Sequence, residues 1–303
     1  MLSDELESVV SRHVPGEGTP DIHRTGLGLV NETYRVLRGG SAYALRVAAG
    51  NSFDLGLDRA WEARVLERAV AADLAPELTY CDPQRGILIA RWVDGRSWSP
   101  VEVRRQANVS RMTELMRRIH ALPMPVPARV MSPAAWIDYY STAARQSSRD
   151  LRAGPAAGGP AAPSTAEALR TAATARLAAL ALLPRVDPVV CHSDLHILNL
   201  VDRGHSLLLL DWEYAHAADP LWDLAGWSAN NDLGVGLEHD LLASYAGRPP
   251  TPDECSRLRL LGWLYDYVCL SWSELYLRLH RDDPQGGVAA RAELLAARLN
   301  ASK

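Results

Sequence analysis

The chain of 303 residues holds a single lysine, Lys303, at its last position. A phosphate-binding loop of the Gly-Lys-Ser/Thr type is therefore excluded. Any side-chain cation set against phosphate has to be an arginine. An excess of positive charge is lacking too. The formal net charge is −4, which leaves no basic footprint for nucleic acid, and no such partner is expected. Cysteine is scarce and scattered: Cys81, Cys191, Cys255 and Cys269 form no C-x-x-C pair. They read as buried reduced thiols of a cytoplasmic protein. No apolar run approaches the roughly 18 residues that span a bilayer, so no membrane insertion is expected. The first residues are acidic and carry no signal-peptide pattern. No internal repeat is present.

What is there includes enough apolar residues for a real core, 48% of the chain. It also includes one dense polar stretch, residues 189–213. Val189, Val190 and Cys191 lead into His192, Ser193 and Asp194, and Asn199 follows five residues after Asp194. Two apolar runs, around 200–201 and 207–210, flank an Asp202-Arg203-Gly204 turn and predict a small β-hairpin ending at Asp211. Such a hairpin would gather Asp194, Asn199 and Asp211 at one end. Two carboxylates and an amide oxygen suit a hard divalent cation such as Mg²⁺, with phosphate oxygens completing its shell. Phosphoryl transfer asks for this set: a carboxylate for the attacking hydroxyl, and an Asn and an Asp to hold metal. The order of the three matches that of a kinase catalytic loop and its metal-binding Asp. Two other readings stay open here: a metal hydrolase built on His192, Asp194 and His196, and a nucleotide-binding protein without catalysis.

The strings His192-Ser193-Asp194-Leu195-His196, Asn199, Asp211-Trp212-Glu213-Tyr214-Ala215 and Asp219-Pro220, Asp223 resemble the aminoglycoside phosphotransferase and choline kinase superfamily. The likeness leans toward the choline/ethanolamine kinase branch, with thiamine kinases nearby. It implies an α+β, protein-kinase-like fold of two lobes. Residues 1–94 would form a small antiparallel nucleotide-binding lobe with one helix. Residues 95–303 would form a larger helical lobe. It also implies Asp194 as catalytic base, with His192 beside it, Asn199 and Asp211 as Mg²⁺ ligands, and Asp223 as a brace for the loop.

Along the chain, residues 1–14 predict a short amphipathic helix. Residues 21–37 read as strand, glycine turn and strand. By the resemblance, Gly26, Gly28 and Asn31 would form the loop over the phosphates of ATP. Arg46 lies on the next strand, in the slot where kinases carry a phosphate lysine. Glu62, on a helix predicted over 57–72, is its expected partner, and Glu67 is a rival. Residues 91–97 would be the hinge, with Trp92 on the nucleotide. Residues 152–164 are low in complexity and read as a loop. Few residues separate Asp211 from Asp223, which leaves no room for a peptide-binding segment and favours a small acceptor. The last long helix, predicted over 252–276, carries Trp263 and Tyr267 on one face and Tyr265, Trp272 and Tyr276 on the opposite one. Trp263, Tyr267 and Trp272, with Glu213 and Asp266 adding negative charge, are expected to hold a cationic alcohol. Choline or ethanolamine comes first, then thiamine or an aminoglycoside. The cofactors implied are ATP and Mg²⁺, and the expected assembly is a monomer or homodimer.

Overall fold

The computed structural model describes residues 3–48, 55–152, 165–280 and 286–301. The low-complexity stretch expected as a loop falls almost wholly outside them.

Helix α1 (Ser3–His13) precedes three strands, β1 (Asp21–Leu27), β2 (Asn31–Arg38) and β3 (Ser41–Ala48). After α2 (Arg59–Ala71) come β4 (Leu78–Asp82) and β5 (Ile87–Arg91). The five strands make one sheet in the order β1-β2-β3-β5-β4, antiparallel throughout. Side chains alternate across a strand, and β3 shows what that does here. Tyr43 and Leu45 are buried with Leu6, Val9 and Val10 of α1 in a small apolar core. Arg46 is thereby turned to the other face, where α2 lies.

Helix α2 begins at Asp58, whose side chain accepts a hydrogen bond from the Trp61 amide at 2.9 Å. Its apolar face, Trp61, Val65, Leu66 and Ala69, belongs to the larger core shared with the helical part of the chain. The helix therefore ties the sheet to the rest of the molecule.

The remainder is mostly helical: α3 (Pro100–Val103), α4 (Gln106–His120), α5 (Pro133–Arg152), α6 (Thr165–Ala168) and α7 (Arg170–Ala181). Four very short strands interrupt it: β6 (Val189–Cys191), β7 (Leu200–Asp202), β8 (Leu207–Leu209) and β9 (His216–Ala218). The expected hairpin is β7 with β8, and β6 pairs with β9. Helices α8 (Leu221–Asn230), α9 (Val235–Ala246), α10 (Pro252–Leu279) and α11 (Gly287–Ala301) close the chain. The 28-residue α10 is the spine of the larger core. Its start is fixed reciprocally: the Glu254 amide donates to Thr251 Oγ1 at 3.2 Å, and the Thr251 amide donates to the Glu254 carboxylate at 2.7 Å. No helix among the described residues is long and apolar enough to cross a membrane.

Candidate active site

The loop after β6 is held from below by Asp223 of α8. Its carboxylate accepts from the His192 amide at 2.9 Å and the Ser193 amide at 2.7 Å. His120 Nε2 lies 3.2 Å from the same carboxylate, and its Nδ1 lies 2.7 Å from the Tyr245 hydroxyl. Burial pushes the Asp223 carboxyl up, but the His120 hydrogen bond and charge outweigh it and leave the group below its usual range. His192 is fully buried. Its Nε2 sits 2.9 Å from the Leu210 carbonyl oxygen, so the ring ties the loop to the residue before Asp211. Burial lowers its pKa and keeps the ring neutral.

Two non-glycine residues with positive φ lie here, Ser193 at 68° and Asp211 at 59°. Such backbone costs of order 1–3 kcal/mol and persists where the surroundings over-determine it. Asp223 supplies that constraint for Ser193, and Arg46 supplies it for Asp211.

Asp194 is partly exposed. Asn199 donates to its carboxylate at 3.1 Å and to its carbonyl oxygen at 3.0 Å. Asn199 in turn accepts at its own backbone carbonyl from the Leu210 amide at 2.8 Å. The hairpin thus brings Asp194, Asn199 and the residue preceding Asp211 into one hydrogen-bonded unit. Burial raises the Asp194 carboxyl, yet the hydrogen bond and charge of His196, 3.4 Å away, prevail and hold it below its usual value.

Across from this loop lies a buried ionic cluster. Arg46 pairs with Glu62 and donates to Asp211 Oδ1 at 2.8 Å. Glu67 is exposed and takes no part. Arg59 donates to Glu62 and to Glu213, each at 2.8 Å, and to the Asn31 amide oxygen at 2.9 Å. Asn31 Nδ2 donates to Glu213 at 2.7 Å. Two guanidiniums therefore face three carboxylates, those of Glu62, Asp211 and Glu213. One negative charge is left over. Burial, then the Asp211 charge, pushes Glu213 up to about 7, and burial raises Asp211 as well.

Several expected placements need correction. Glu213 does not face an acceptor; Arg59 and Asn31 claim its carboxylate. Asn31 does not orient the glycine turn through its side chain, which points into the cluster. Its carbonyl oxygen does shape the turn: a Cβ on Gly28 would lie 2.6 Å from it, so only glycine fits. Gly26 sits within β1 opposite Thr33, beside a bulge, rather than at the tip. The Trp92 amide donates to the Ala42 carbonyl at 3.0 Å, and the Arg35 guanidinium lies over its ring. Trp263 and Tyr267 are not brought to the catalytic loop. They stack on each other, with Arg176 4.0 Å above the Trp263 ring and the Tyr267 hydroxyl donating to the Ala166 carbonyl. The cation slot on Trp263 is thus filled by the protein itself. Asp266 is paired with Arg298. Trp272 lies on the other face of α10, and its Nε1 donates to the Tyr214 hydroxyl at 2.6 Å. Tyr214 and Tyr140 both lie within electrostatic reach of Asp194.

Sequence reasoning missed three residues. Arg59 reads as a helix-surface arginine, and its only signal is the three-residue interval to Glu62. Tyr214 belongs to a motif that gives it no role. Asp202 reads as a turn residue, but it accepts from Trp98 Nε1 at 2.7 Å and from Arg111 through both oxygens at 2.7 and 2.8 Å. It anchors the hairpin to the segment after β5.

A family model described as "Phosphotransferase enzyme family" matches residues 21–258. The chain belongs to that family. Among solved structures it is similar to a choline/ethanolamine kinase family protein from Mesorhizobium loti. That match has 25% identity, covers 99% of this chain and 94% of the other, and has a TM-score of 0.73. The choline kinase LicA from Streptococcus pneumoniae has 19% identity, 99% coverage of each chain and a TM-score of 0.76. A macrolide 2'-phosphotransferase from Brachybacterium faecium has 19% identity, coverage of 98% and 97%, and a TM-score of 0.61. No curated protein matches the chain in sequence. The fold is the protein-kinase-like α+β fold of these phosphotransferases, and the protein is a phosphotransferase.

Proposed function

We propose that the protein transfers the γ-phosphoryl group of ATP to the hydroxyl of a small cationic alcohol, with choline or ethanolamine as the first acceptor. The observation that carries this is the unit formed by Asp194, Asn199 and the end of β8, facing the Arg46 cluster. Asp194 is held as a carboxylate and is partly exposed, so it accepts or orients the proton of an acceptor hydroxyl. Arg46, aligned by Glu62, presents a guanidinium to the phosphates. The turn at Gly28, Gly26 before it and the segment around Trp92 line the nucleotide side. Residues 1–94 serve as nucleotide lobe and 95–303 as acceptor lobe, in a cytoplasmic enzyme. The LicA choline kinase has been solved in complex with AMP, which supports a nucleotide in this cleft.

The residues fit Mg²⁺. Asn199 commits its amide nitrogen to Asp194, which leaves Oδ1 to a metal, and Asp211 gives one oxygen to Arg46 and keeps the other. With its three carboxylates ionised, as a bound cation would favour, the cluster carries one uncompensated negative charge, and Asp194 adds a second. When bound, Mg²⁺ neutralises and orients the phosphates.

On the acceptor side, the half-buried rings of Tyr214 and of Trp272, one face of which stacks on Tyr276, are the aromatic surfaces open to a cation. A cation on such a face gains roughly 0.5–2 kcal/mol per contact. The test is ADP release with ATP, Mg²⁺ and a panel of choline, ethanolamine, thiamine and aminoglycosides. Turnover of aminoglycosides alone would overturn the acceptor. Asp194→Ala is expected to abolish turnover and keep nucleotide binding; normal turnover would refute the role of Asp194. A catalytically silent nucleotide binder would show binding of Mg²⁺ and ATP with no turnover of any acceptor.

A further inference from the structure

Arg291 in the second turn of α11 is an exposed residue whose guanidinium has no carboxylate partner among the described residues. Among the described residues no carboxylate oxygen lies within 4.0 Å of its nitrogens. Its contacts are weak and neutral: Asn230 Oδ1 at 3.3 Å and Cys269 Sγ at 3.8 Å. Both neighbours belong to the acceptor side of the catalytic loop. Asn230 donates through Nδ2 to the Leu195 carbonyl at 2.9 Å, one residue past Asp194, and to the Tyr265 hydroxyl at 3.0 Å. Cys269 lies on the face of α10 that carries Tyr265 and Trp272. Arg291 is within electrostatic reach of Cys269, Tyr265 and Asp194. The arginine thus meets the face of α10 whose Trp272 bonds the Tyr214 hydroxyl.

This placement bears on the acceptor. A guanidinium within electrostatic reach of the catalytic carboxylate opposes a ligand that is only cationic. It favours one that also carries an anion, because a planar guanidinium grips a carboxylate through two parallel hydrogen bonds. Its present contacts, a neutral amide oxygen and a thiol, are ones such an anion readily displaces.

We propose that Arg291 is a specificity-determining residue that receives a carboxylate of the acceptor, so that the acceptor is a zwitterionic alcohol. Its ammonium lies against the aromatic rings, its carboxylate on Arg291 and its hydroxyl at Asp194. This rests on the phosphotransfer reading above and replaces its first acceptor, a purely cationic alcohol, by one that carries a carboxylate as well. A hydroxyl compound carrying phosphate in place of the carboxylate shares the anionic chemistry, and the test separates the two.

The experiment compares matched acceptors that differ by one anionic group: choline with carnitine, ethanolamine with serine, and ethanolamine with a phosphorylated amino alcohol bearing a free hydroxyl. ADP release gives kcat and KM, and phosphorus NMR identifies the product. Wild type is expected to favour the carboxylate-bearing member by tenfold or more in kcat/KM. Arg291→Ala is expected to erase that preference through a KM raised tenfold or more, with kcat for that acceptor largely kept. Arg291→Lys should restore part of it. Turnover of choline or ethanolamine with no preference for the carboxylate partner, or a preference that survives in Arg291→Ala, overturns the inference and leaves the phosphotransfer reading standing. A preference for the phosphorylated acceptor alone replaces carboxylate by phosphate and overturns the proposal as stated. No turnover of any acceptor by wild type removes both.

Discussion

Arg59 is the residue through which the ionic cluster is most open to test. Its guanidinium is buried and bonds Glu62, Glu213 and Asn31 at 2.8, 2.8 and 2.9 Å. Arg59→Met keeps an unbranched apolar stem and removes all three bonds. Glu62 retains Arg46, but Glu213 is left with Asn31 and with Arg46 at 4.0 Å. Removing one partner of a buried ion pair costs about 3–5 kcal/mol. The unfolding entropy, about 2.1 cal/mol/K per residue, comes to about 0.6 kcal/mol/K for a chain of this length. The variant should therefore melt about 5–8 °C lower by differential scanning calorimetry. The double variant Arg59→Met with Glu213→Met removes the orphaned carboxylate as well, and replacing both charges by apolar groups is often close to neutral. It should melt above the single variant, with a coupling of about 1 kcal/mol or more. A single variant within about 1 °C of wild type, or a double variant that melts lower than either single one, would refute the account of the cluster.

Two further predictions concern stability around the site. His216 is buried, its Nδ1 donates to the Tyr214 carbonyl at 2.8 Å, and its Nε2 accepts from Trp136 Nε1 at 3.4 Å, so the fold requires the neutral ring. Burial lowers its pKa to about 4. The unfolded chain, with a histidine near 6.5, takes up the proton first. The contribution is therefore full above about pH 6.5 and is lost as pH falls toward 4, with a loss of about 2 kcal/mol by pH 5. Glu213, raised to about 7, gains stability over the same pH range and offsets this loss in wild type and variant alike; urea melts at pH 7.5 and pH 5 should therefore show His216→Gln gaining about 2 kcal/mol relative to wild type as pH falls, and equal changes in the two proteins would remove His216 as the cause. Gly95 abuts the hairpin, and a Cβ there would lie 2.5 Å from Val201 Cγ1 and 2.9 Å from the Asp202 carbonyl oxygen. Gly95→Ala should cost about 1–3 kcal/mol, and Val201→Ala should recover only part of it, since the carbonyl contact remains. Chemical denaturation measures both, and a neutral Gly95→Ala would contradict the packing.

The sequence carried much of this protein in local terms. Turn residues at 38–41 and 82–86 cut the sheet into its strands. The interval from Asp194 to Asn199 and the apolar run before Asp211 are local features, and they were enough to propose the hairpin and the chemistry at its end. The Arg46–Glu62 pair came from the resemblance to kinases, and the chain alone left Glu67 as a rival to Glu62. The strand β9 was not legible, because His216, Ala217 and Ala218 have little strand propensity of their own and pair only because β6 lies beside them. The helical period separated the aromatic residues of α10 into two faces, but periodicity fixes only which side chains share a face. Packing on α5, α8 and α11 decided that Trp272 looks toward Tyr214 while Trp263 meets Arg176. In the same way, the charges of Arg59 and Glu213 are visible in the chain, but their bond spans 154 residues. Only the tertiary fold, by burying both away from water, made that contact strong enough to settle what each of them does.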